Sequence, residues 1–358
     1  MPSLKEIKGR INSISSTLAI TSAMKMVAAA KLQKAQMAIQ NMLPYERRLH
    51  SMLIDLMGAM NISAAASEDG SVRGSGSAER GFDQSGDRLS LSNRHDLAGM
   101  DGAYSLMAQR EVRKVAIVAF ASNSSLCGAF NSNVIREATA VINEYRASGL
   151  GDADITVYSV GRKMAEAMKK LGFPSPADFT KMSDSPSYDA ASALAQELLD
   201  GFVSGRFDKV ELVYNHYKST SSQPTIRQTY LPLSLADATA DLQAGKIADS
   251  ASESDTNRGA EPVGAPVVRQ GSPTTEDLIV EPSKEALIAT LLPKVIRLRI
   301  FTTLLDSAAA EHAARTVAMQ LATDNGNDLL QELTLEYNKG RQQKITSEIL
   351  DIVGGSLK

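Results

Sequence analysis

At 358 residues the chain is long enough for two domains or one elongated fold. A formal net charge of −3 excludes nucleic-acid binding driven by overall charge, and no nucleic-acid partner is expected. The single cysteine, Cys127, excludes an internal disulfide framework and fits a reducing compartment.

The first predicted element is a long helix. Ser3 with Glu6 forms a capping-box signature, and Pro2 stands just outside it. Apolar residues recur at Leu4, Ile7, Ile11, Ile14 and Leu18, and again at Ala28, Leu32, Ala35, Ile39 and Met42. Alternating steps of three and four are the seam of a coiled coil. Pro44 is expected to kink the helix, because it removes a backbone bond and crowds the preceding turn. The pattern then resumes through Leu49, Leu53 and Leu56. Residues 1–48 carry eight basic groups against two acidic ones. Such a run is either solvated surface or a basic helix that slides past an acidic partner. The chain enters this charged helix directly, so no signal peptide is expected.

Residues 64–102 turn to Ser, Gly, Asp and Arg with few large apolar groups, which reads as a flexible insertion. The centre changes period. Strands are predicted over 112–122, 155–160, 209–219 and 225–233, with helices over 131–147, after Gly161, and over 190–204. Alternating strands and helices point to a small Rossmann-like α/β domain with a partly parallel sheet. The run at 115–121 is too short to cross a bilayer, so membrane association is expected only through partners. Residues 236–277 lose periodicity again and read as a second insertion.

From Ser283 to about Val353 the chain is predicted to be helical, with Pro293 as a kink or restart and Gly354-Gly355 as the stop. Its seam runs through Leu291, Val295, Leu298 and Leu305. Small residues follow at Ala308, Ala309, Ala313 and Ala314, and then Leu330, Leu333 and Tyr337. Two long helices at opposite ends of one chain are each half of a rod. The expected fold class is therefore α/β: an antiparallel coiled coil of the terminal helices (1–60 and 281–358) plus an α/β domain at 111–235. Linkers at 61–110 and 236–280 join them.

Signatures of catalysis are missing. No Gly-Lys-Ser/Thr phosphate loop is present, and after the first central strand only Gly128 stands where a dinucleotide fingerprint needs three glycines. His50, His95, His216 and His312 are far apart in sequence, and one cysteine cannot build a thiolate metal site. Cys127 is expected to be a buried structural thiol rather than a nucleophile, as no basic partner is visible beside it. No catalytic residue, metal or cofactor is expected.

Three segments carry a family resemblance: "SLKEIKGRINSI" leading into "ITSAMKMVAAAKLQKAQ" (3–36), "LCGAFNSNV" (126–134), and the run from Glu311 to Gly355. Together they resemble the gamma subunit of the F-type ATP synthase. The chain departs from the family in having Asn123-Ser124-Ser125 where an Asp-Arg-Gly-like triplet is usual, and Gly340 where alanine is commoner. The resemblance implies a central rotor stalk that turns inside a hexamer of alpha and beta subunits. Its globular part would rest on the membrane c ring with epsilon alongside, as a peripheral, non-catalytic subunit on the cytoplasmic face of the bacterial inner membrane. Both chain ends, "MPSLKEI" and "EILDIVGGSLK", would turn within the sleeve. Contacts with the beta subunits would then fall on Arg341, Gln342, Thr346 and Glu348, with Met24 and Lys25 beside a second beta region. Two rivals remain on sequence alone: a coiled-coil scaffold unrelated to ATP synthesis, and an α/β enzyme that dimerises through its terminal helices.

Overall fold

The computed structural model describes residues 3–59, 106, 109–233, 281 and 284–356. The stretches 64–102 and 236–277, expected as insertions, lie outside the described residues.

Two helices set the shape. α1 spans Leu4–Ala59 and α6 spans Lys284–Ser356. At 1.5 Å per residue they are roughly 84 Å and 110 Å long. They run antiparallel, and their register can be followed from end to end. Leu4 lies over Gly340 and Leu18 over Gly326. The Thr323 hydroxyl donates to that of Thr21 at 3.2 Å, and the Thr302 hydroxyl donates to Glu46 at 3.1 Å. Leu32 packs between these levels against Ala309 and Ala313. Along α1 the buried and half-buried positions keep the three–four rhythm without interruption from Leu4 to Leu53, with Thr21, Lys25 and Glu46 filling seam positions between apolar ones. A polar residue at a seam position lowers stability but helps to define register.

Two local expectations are corrected, a restart of the helix at Pro293 and its stop at Gly354-Gly355. α1 passes through Pro44 and α6 through Pro293 as single continuous helices. The seam packing on both sides, Met42 to Leu49 and Leu292 to Val295, holds the helical path despite the backbone bond each proline removes. α6 also continues through Gly354-Gly355 to Ser356 rather than stopping before them. At the start of α1, the Glu6 amide donates to the Ser3 hydroxyl at 3.2 Å, but the Glu6 carboxylate turns forward to Arg10 at 3.0 Å. Only half of the reciprocal box is made.

Between the helices the chain builds β1 (Val115–Phe120), α2 (Phe130–Ala147), β2 (Ile155–Val160), α3 (Arg162–Lys170), α4 (Thr180–Asp184), α5 (Tyr188–Val203), β3 (Lys209–Asn215) and β4 (Thr225–Leu231). The strand order is β2-β1-β3-β4, with β1 parallel to both neighbours and β4 antiparallel to β3. β1 is buried along its whole length because both sheet faces are covered. Val115, Ile117 and Ala119 face α2 and α3 with Val134, Ile142, Met164 and Met168. Ala116, Val118 and Phe120 face the opposite way, into a core shared with Leu194 and Leu198 of α5 and with Leu292, Ile296 and Leu304 of α6. The long helix is thus itself a layer of the α/β domain. One glycine is obligatory here. Gly161 has φ +96°, and a Cβ on it would lie 2.1 Å from the Ala121 carbonyl oxygen.

Candidate functional site

Because Leu4 faces Gly340, α6 outruns its partner. The residues after Gly340 form a single helix of about sixteen residues, roughly 24 Å long. Every residue from Arg341 to Val353 is exposed. Arg341, Gln342, Thr346 and Glu348 all stand on this tip, which no other element among the described residues accompanies. At about 100° per residue, Arg341, Gln342 and Thr346 share one half of the helix with Ile345, Ile349, Leu350, Ile352 and Val353. Ile352 is 72% exposed and Leu350 64%, so this apolar half has no partner among the described residues. Glu348 lies at the edge of that half and forms a loose ion pair with Lys344 at 3.7 Å. The Thr346 hydroxyl donates back to the Gln342 carbonyl at 2.9 Å. Among the described residues only α6 reaches the end of the rod, since α1 begins about 24 Å short of it.

Met24 and Lys25 are in a different place. Both are half-buried in α1, about twenty residues from its start and therefore roughly 30–45 Å down the rod from the tip residues. The six candidate contacts thus form two levels on the shaft, not one site.

Just below Lys25 is a buried polar cluster that periodicity alone does not single out. Arg315 donates to the Glu311 carboxylate at 2.5 Å and to the Ser125 carbonyl at 2.8 Å. Both side chains of this pair are only 10% exposed. Burial pushes the Glu311 carboxyl up, against the pull of Arg315. His312 beside them is pushed down to about 4, by burial first and then by Lys31 and Arg315. The visible signal was the Glu-x-x-x-Arg spacing of 311–315, which puts opposite charges on one helix face.

This cluster closes the crevice where α/β sheets bind ligands, outside the carboxyl ends of the strands. The gap there is lined by Phe120, Ala121, Val160, Ser183, Leu304, Ser307, Ala308 and Glu311, half of them from α6. Two of its polar groups, Ser183 and Glu311, are already bonded within the protein. Ser183 donates to the Ala121 carbonyl at 3.0 Å, and the Asn123 side chain spans the Arg162 amide and the Thr180 carbonyl. Cys127 is 1% exposed, accepts from the Asn131 amide at 3.2 Å, and has its thiol pushed up by burial. It has the environment of a structural thiol.

A second joint ties the domain to both helices. At the end of β3, His216 Nδ1 lies 2.6 Å from Asp306 of α6, and the Tyr217 amide donates to the same carboxylate at 2.9 Å. The Tyr217 hydroxyl accepts from Gln36 of α1 at 2.7 Å. Sequence gave no warning of it, because residues 36, 217 and 306 are related only by folding.

No helix among the described residues is long and apolar enough to cross a membrane.

The comparisons agree with this architecture. The family model described as ATP synthase matches residues 3–357. An ATP synthase gamma chain of Phocaeicola vulgatus is 47% identical over 357 residues, covering 100% of both chains. One from Flavobacterium johnsoniae is 36% identical, over 99% of this chain and 98% of the relative. The fold also resembles a chain in the cryo-EM structure of the Euglena gracilis mitochondrial ATP synthase OSCP/F1/c-ring assembly. That match has a TM-score of 0.52 at 19% identity and covers 99% of this chain and 93% of that one. With matches of this identity along its whole length, the chain belongs to the ATP synthase gamma-chain family.

Proposed function

We propose that the chain is the turning shaft of a bacterial F-type synthase, performing no bond-making itself. The tip of α6 sits inside a sleeve of alternating alpha and beta subunits. The α/β domain and lower rod rest on the membrane c ring with epsilon alongside, peripheral to the cytoplasmic face of the inner membrane. Proton flow turns the ring and the rod with it. The rod is lopsided, two helices thick below Leu4 and one helix thick above, so each orientation presents a different surface to the surrounding beta subunits. A beta conformer that binds one face better is favoured while that face is turned toward it, so rotation moves the three sites through different nucleotide affinities.

The observation that carries this is the exposed apolar half of the single-helix tip. A helix of that length with Ile345, Ile349 and Ile352 in water needs a surrounding partner, and polar groups spaced among them give that partner something to distinguish. Further support comes from the filled crevice at the sheet, where α6 stands in the usual ligand position.

Arg341→Ala combined with Gln342→Ala tests the contact assignment. Coupled ATP synthesis by the reconstituted complex is expected to fall about tenfold, as loss of one or two charge-assisted contacts implies. Helical content of the chain should stay unchanged. Undiminished coupling would remove these residues from the beta contact.

A further inference from the structure

Between Lys284 and Val353 the long helix contains two glycines, Gly326 and Gly340. Both are inside the helix, where glycine is the poorest former apart from proline. They are fourteen residues apart, two full heptads, and each faces a leucine of α1. Those leucines, Leu18 and Leu4, are also fourteen residues apart. A Cβ on Gly326 would lie 2.6 Å from Leu18 Cδ2, and one on Gly340 would lie 3.1 Å from Leu4 Cδ2. A side chain on Gly326 would therefore collide with Leu18 as it stands, and one on Gly340 would crowd Leu4 more tightly than ordinary van der Waals contact.

We infer that these two knob-and-socket pairs fix the axial register of the shaft and so set how far the tip of α6 projects beyond α1. The intervening seam cannot do this. Ile7, Ile11 and Ile14 present near-equivalent side chains, and a coiled coil slid by one heptad, roughly 10 Å, keeps such positions matched. The sockets do not tolerate the slide. Leu18 would meet Met319 or Leu333 in place of Gly326, two bulky groups in a space shaped for one. The Thr21–Thr323 hydrogen bond at 3.2 Å, one turn from the Leu18 socket, adds a polar match that is lost in the same slide. That register places Arg341 and Gln342 at the right depth rests on the function proposed above.

The test fills both sockets in the assembled complex, with Gly326→Leu and Gly340→Leu. Register is read by oxidative crosslinking of a Thr21→Cys, Thr323→Cys pair, while Cys127 stays buried. Crosslink yield is expected to fall about fivefold, because a disulfide tolerates only a narrow separation of its two Cβ atoms. It should recover when Leu4→Ala and Leu18→Ala are added to make room. Unchanged yield in the filled variant would overturn the register lock, whatever the activity. If that variant does not assemble, Gly326→Ala alone must lower the yield and Leu18→Ala must restore it; failure of either overturns the lock as well. Lost crosslinking with undiminished ATP synthesis would uphold the lock and count against the tip contacts instead.

Discussion

The Tyr217 hydroxyl accepts from Gln36 of α1 at 2.7 Å while its backbone amide donates to Asp306 of α6 at 2.9 Å. One residue at the end of β3 thus ties the α/β domain to both halves of the rod. It also packs against two small apolar clusters, one of Leu32, Ala309 and Ala313 and one of Cys127, Phe130 and Ala310. Tyr217→Phe is expected to cost about 1 kcal/mol, the net value of one hydrogen bond. Tyr217→Ala should cost about 3 kcal/mol, since the apolar contacts go as well. Urea unfolding midpoints at unchanged slope measure both.

Arg315 and Glu311 are buried together, and neither is expendable alone. Arg315→Ala would leave the Glu311 carboxylate buried beside Phe120 and Leu304 without its partner. A loss of about 3–5 kcal/mol is expected. Replacing both, with Glu311→Leu and Arg315→Met, should cost much less than either single change, because no uncompensated charge remains. A double-mutant cycle by thermal denaturation provides the comparison.

Two histidines give stability opposite slopes with pH. His216 is held above its ordinary value by the hydrogen bond to Asp306. Its proton is bound more tightly in the folded chain, so this contribution is complete below about pH 6.5 and is lost as pH rises through the folded value. His216 is half-exposed, so the term stays within about 1 kcal/mol. His312 is held down at about 4 by burial. Between about pH 6.5 and 4 the unfolded chain binds the extra proton, and stability falls as pH drops through that window. Melting temperatures across pH 4–9 should therefore peak near the middle. Asp306→Asn is expected to flatten the alkaline side, and His312→Gln the acid side.

The rod was legible in the sequence because its seam repeats locally. Each apolar residue of α1 predicts the next at three or four positions, and the burial pattern follows that rhythm from Leu4 to Leu53. The four strands were legible for a similar reason, as short β-branched and aromatic runs, the first three separated by helical ones. The identity of the tip residues came from resemblance, not from any local pattern, since exposed polar groups on a helix have no signature of their own. What α6 does below Leu305 was only partly visible. Its seam toward α1 could be read, but Leu292, Ile296 and Leu304 face the sheet, and a helix buried on several sides loses the periodicity that marks a single face.

Sequence by itself determined that two long amphipathic helices must pair and that an α/β unit lies between them, because hydrophobic period is a property of neighbours along the chain. Tertiary structure alone decided the register that leaves the last sixteen or so residues of α6 unaccompanied among the described residues, the choice of Leu4 and Leu18 as the side chains that fill Gly340 and Gly326, and the joint that brings Gln36, Tyr217 and Asp306 together. Those depend on which surfaces meet across hundreds of residues, where small differences in volume and a few hydrogen bonds choose among alignments that the repeating pattern leaves equal.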